Sequence, residues 1–114
     1  MTMMDEKFVS QPMPRQLGAL AANLARIASC TRWDKPTDVV LPMMTESIQF
    51  IEWIAPHTEP EVAVELVDMQ VMLGLWHKGW PRVQSERTQS ILLSILAKKW
   101  SDQVLGYSGL LDSA

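Results

Sequence analysis

Apolar residues recur every three to four positions through most of this chain, a spacing that predicts helices and not strands. The clearest case is Thr58 to Gly79. Val62, Leu66, Met69, Leu73 and Trp76 share one stripe of that helix, and Val64, Val67, Val71 and Leu75 share another. Glu61, Glu65 and Asp68 form a narrow acidic stripe between them. Thr58-Glu59-Pro60-Glu61 reads as a capping box with proline in the first turn, and Lys78-Gly79 reads as the helix end. A helix apolar on two sides needs neighbours on both, so this one is expected at the centre of a helical bundle.

The remaining elements follow from the same periodicity. Residues 1–13 lack it and are expected to form a flexible arm. The first helix is predicted over about Pro14 to Ser29, with Leu17, Leu20, Ala21, Leu24, Ile27 and Ala28 inward and Arg15, Asn23 and Arg26 outward. Cys30 to Pro36 is a connection, after which Thr37 or Asp38 caps a short turn that Pro42 interrupts, so that Asp38 to Leu41 is either a separate turn or the bent start of a second helix that ends near Ala55. Its expected inward face is Met44, Ser47, Ile48, Ile51, Ile54 and Ala55. Trp80-Pro81 predicts a break, because the residue before proline avoids helical backbone angles. The last helix is predicted from a Gln84 or Ser85 cap to about Leu105, with Gly106 stopping it. Leu92, Ile95, Leu96, Trp100 and Val104 are expected inward there, and Arg87, Ser90, Ser94, Lys98 and Ser101 in water. A short tail follows, in which Leu110 and Leu111 can fold back. The predicted fold is all-α: an antiparallel four-helix bundle in a single domain, residues 14–114, preceded by the arm.

Composition narrows the function classes. A net charge of −3 and no basic stripe argue against a nucleic-acid partner. One cysteine, Cys30, makes no internal disulfide and suits a reducing cytoplasm. The most apolar stretch, Val62 to Trp76, carries Glu65 and Asp68 and is a poor membrane span, and Asp5, Glu6 and Lys7 give the start no apolar core of the signal-peptide kind. Five tryptophans and eight methionines in 114 residues imply large contact surfaces. Phe50 and Trp53 fall outside the inward stripe of their helix, and Trp76 and Trp80 flank the Gly79 turn. These four are the candidate interface, for a homo-oligomer or for a protein partner.

Little else in the chain carries chemistry. Neither His57 nor His77 follows a glutamate by three residues, as a di-iron bundle requires, the glycines are scattered, and no serine has the setting of a nucleophile. From these residues no cofactor is expected. One pattern remains: Gln49-x-x-Glu52, twelve intervening residues, then Glu65-x-x-Asp68. Three-residue spacing puts each pair on one helix face, and facing carboxylates suit Mg²⁺, a hard ion that takes oxygen ligands. Over about Thr45 to Leu75 the pattern resembles the MazG-type all-α nucleotide pyrophosphatases, whose motif is Glu-x-x-Glu, a spacer, then Glu-x-x-Asp. The resemblance implies Mg²⁺ held by Glu52, Glu65 and Asp68, with Gln49 where the family has a carboxylate, and cleavage of nucleoside triphosphates to the monophosphate and pyrophosphate. Two function classes therefore stand. The first is a small cytoplasmic all-α protein acting by self-association or protein–protein binding, without catalysis. The second is a Mg²⁺-dependent pyrophosphatase of the MazG-like kind, complete or degenerate. Whether Glu52, Glu65 and Asp68 converge on one cleft separates them.

Overall fold

A computed structural model describes residues 3–33 and 38–109 of the chain. Among them are five α-helices and one 3₁₀ turn, and no strand. The helices are α1 (Met3–Val9), α2 (Met13–Arg32), α3 (Val40–Ile54), α4 (Pro60–Val83) and α5 (Arg87–Ser108), with the 3₁₀ turn Ala55–His57 between α3 and α4. Met1, Thr2, the Asp34 to Thr37 connection with its proposed cap at Thr37, and the Leu110–Leu111 tail lie outside the described residues.

The long-range contacts centre on α2, which packs chiefly on α5 and next on α3, while α4 packs on α3 and only lightly on α5. Leu20, Leu24 and Ile27 of α2 are completely buried. Small residues let α2 and α5 approach closely: Ala21 and Ala28 on one side, Ser94, Ala97 and Ser101 on the other, all buried. The Ser101 hydroxyl donates to the Ala21 carbonyl at 2.9 Å, and the Ser90 hydroxyl to the Val83 carbonyl at 3.1 Å. Their burial is thereby compensated. At the other end of the seam, the Arg87 guanidinium donates to the carbonyls of Thr31 and Arg32, placing a cation on the negative end of α2.

Several expectations change on this frame. The segment expected as a flexible arm is a helix over Met3–Val9, because Phe8 is buried and its ring stacks on Phe50 at 4.4 Å. Asn23, placed outward by its polarity, is buried and donates to Glu46 at 2.8 Å. The capping box does not form: Glu59 is the residue before α4, without a side-chain cap bond, and the Thr58 hydroxyl donates to Ala55 instead. Asp38 does not cap α3 either, since Val39 holds that position, and Pro42 fits into the first turn. Helix α4 runs on through Trp80-Pro81 to Val83. Burial of Trp80 and Val83, 3% and 7% exposed, offsets the lost Pro81 hydrogen bond and overrides the pre-proline preference. Gly106 lies inside α5, and Gly109, at φ 74°, ends it in the left-handed conformation that glycine tolerates.

The largest correction concerns rotation. Helix α5 is turned so that Ser90, Ser94 and Ser101 are buried while Leu92 and Ile95 are 45% and 55% exposed. Helix α4 is not central. Its first stripe is inward, with Leu66 and Leu73 fully buried and Met69 nearly so, but Val64, Val67, Val71 and Leu75 are 62%, 43%, 58% and 60% exposed.

Candidate functional site

The carboxylates of the sequence pattern lie on opposite sides of α4, Glu52 on α3 and Glu65 and Asp68 on the far edge of α4 itself. The edge against α3 carries Gln70, whose amide donates to the Ile48 carbonyl at 3.1 Å and to Glu52 at 2.9 Å. His77 lies on the same edge, its Nε2 3.1 Å from the Thr45 hydroxyl. Glu52 therefore belongs to the α3–α4 seam. Glu65 and Asp68 face the other way, toward α5, where with Met69, Met72, Trp100 and Gln103 they line a depression of about 160 Å³. Glu65 accepts hydrogen bonds from the Tyr107 hydroxyl and the Gln103 amide. Gln49 is exposed on the outer side of α3, in an open apolar groove beside Phe50 and Trp53.

Spacing alone brings Glu65 and Asp68 together, and the structure keeps them so. It does not add Glu52, because the rotation of α4 turns Gln70 and not Glu65 toward α3. No group of three or more His, Cys, Asp or Glu side chains among the described residues is placed to hold a metal ion. The donor set implied for Mg²⁺ does not fit this arrangement, since a hard cation is held by oxygens converging on one point.

The aromatic candidates also separate. Phe50 and Trp53 are half-buried and already have a partner within the chain: the Phe8 ring lies 4.4 Å from Phe50 and 5.4 Å from Trp53, the three forming one cluster. Trp76 is half-buried against the core, and Trp80 lies within it. Trp80 presents almost no surface outside its own chain, and α1 covers part of the Phe50–Trp53 surface.

Another apolar feature lies on the outward side of α4. Val64, Val67, Val71 and Leu75 follow one another at spacings of three and four, so they form a single line along the helix. Glu65 at the start of α4 meets Gln103 and Tyr107 near the end of α5, so the two helices run antiparallel. Met72 of α4 and Leu92 and Ile95 of α5 are also exposed. The signal for this surface was present in the sequence as the second stripe of α4. Its exposure was not. No family model, curated protein or solved structure matches the chain.

Proposed function

We propose that this chain acts by association of protein surfaces, first with copies of itself, and has no catalysis of its own. One observation carries the reading: a 24-residue helix on the flank of the fold turns a continuous line of valine and leucine side chains into water. Apolar surface left exposed in one contiguous patch marks a contact site, because its burial is the main favourable term in association. The helix-to-helix hydrogen bonds support an antiparallel bundle of α2 to α5 as the scaffold, with α1 as an added clasp. A cytoplasmic setting suits the single cysteine, and the net charge of −3 favours a protein partner over a nucleic acid.

The pyrophosphatase reading has weaker support, since Glu52 stands apart from Glu65 and Asp68 across the width of α4. Millimolar Mg²⁺, with or without nucleoside triphosphates, is expected to leave the melting temperature unchanged. No pyrophosphate release above that of an Asp68→Asn variant is expected. The test of association is light scattering after size-exclusion chromatography over the micromolar range. A mass above the 12.9 kDa of one chain, rising with concentration, is the expected result. One chain's mass throughout removes self-association.

A further inference from the structure

The outward line of α4 has a charge pattern that selects its occupant. It begins at Glu61, runs through Val64, Val67, Val71 and Leu75, and ends at Lys78 and Arg82, every step being three or four residues. Along the whole helix the acids (Glu61, Glu65 and Asp68) precede residue 70, and the cations (Lys78 and Arg82) follow residue 76. Glu65 and Asp68 face α5, so the charges on the line itself are Glu61 at its start and Lys78 and Arg82 at its end, and Lys78 lies outside the last turn, where the helix dipole favours a cation. A charge gradient of this kind is complementary to itself only when reversed.

We propose that the occupant is a second copy of this chain, its α4 laid antiparallel across the first about a two-fold axis near Val71. The proposal rests on the association reading above and names its surface. Reversal about Val71 brings Val67 of one copy beside Leu75 of the other, and sets Glu61 against Lys78 and Arg82 of the other copy. A two-fold contact uses the same patch twice, so both ends of the helix gain an opposite charge. Parallel pairing puts like charge on like. The cation is available: the Arg82 side chain is 86% exposed and approaches Glu86 within its own chain at only 3.7 Å. The exposed area points the same way. The α4 line and the exposed Met72, Leu92 and Ile95 together expose on the order of 600 Å². That is most of the roughly 800 Å² which each partner contributes to a standard interface.

Four variants test this by sedimentation equilibrium, each with a thermal melt to confirm folding. Val71→Asp puts a charge at the proposed axis from a position already exposed to solvent, so the fold is retained. It is expected to weaken dimerisation roughly 30-fold, as loss of a central contact does. Glu61→Arg and Arg82→Glu are each expected to weaken it about threefold to tenfold, and the double variant to recover most of that loss. A dimer insensitive to Val71→Asp overturns this surface while leaving self-association standing. Loss with Val71→Asp but no recovery in the double charge swap overturns the antiparallel pairing. A parent chain monomeric at every concentration overturns both the pairing and self-association, and leaves the face to a different protein.

Discussion

Helices α2 and α4 carry similar numbers of apolar residues and meet opposite fates. In α2 the large side chains are gathered on one stripe, and alanines, glycine and polar groups fill the rest. Leu20, Leu24 and Ile27 are sealed between α3 and α5, and nothing large and apolar remains outside. In α4 large apolar residues occupy two stripes, and the chain supplies neighbours for one. Leu73 is fully buried while Leu75, two residues on, is 60% exposed. A helix can carry two apolar stripes and find neighbours for only one within its own chain; on the association reading proposed above, a second copy supplies the other.

The comparison is broken most sharply by cavities. Leu20→Ala, in the α2 seam, is expected to cost about 2–5 kcal/mol of folding stability at any protein concentration, measured by chemical denaturation. Leu75→Ala removes the same atoms from a surface position. It is expected to change the unfolding free energy of the monomer by less than about 0.5 kcal/mol and to weaken association by about 2 kcal/mol. Equal costs for the two, independent of concentration, contradict the division between a sealed seam and an open one.

A smaller effect sharpens the α2–α5 side. Ser101→Ala deletes the donor to the Ala21 carbonyl and is expected to cost about 0.5–1.5 kcal/mol in the same assay. Had Ser101 faced water, the change would be close to neutral. Smaller again, and opposite in sign, is Gly106→Ala. Position 106 is inside α5 with nothing within 4 Å of an added methyl group. The substitution is expected to stabilise the fold by about 0.5–1 kcal/mol. A destabilised variant would mean that α5 ends near Gly106 after all.

These variants also mark where the sequence was legible. Helical periodicity located α2 to α5 and the buried stripes of α2 and α4, because one face of each is set by large apolar side chains. It misjudged α5, where Leu92 and Ile95 are the larger apolar groups and yet the serines are inward. Close approach to the alanines of α2 and bonds to backbone carbonyls make small polar residues acceptable there. Helix α1 spans seven residues, too short for a periodic signal, and its order depends on Phe8 meeting Phe50, which lies far along the chain. Of the candidate carboxylates, the pairing of Glu65 with Asp68 is local and could be read directly. The separation of Glu52 depends on how α4 is rotated against α3, which local spacing does not encode.

The antiparallel pairing of α4 with its copy is tested most directly by distances between spin labels on the two copies, after Cys30→Ser removes the native thiol. Asp68→Cys places a label near the proposed axis, and Glu59→Cys places one at the helix start. Helix rise of 1.5 Å per residue and an interaxial spacing of 8–10 Å predict a separation under about 20 Å at position 68 and roughly 35 Å at position 59. A short distance at both positions would show parallel helices. Absence of coupling between copies at both positions would show that α4 meets no second α4 in solution.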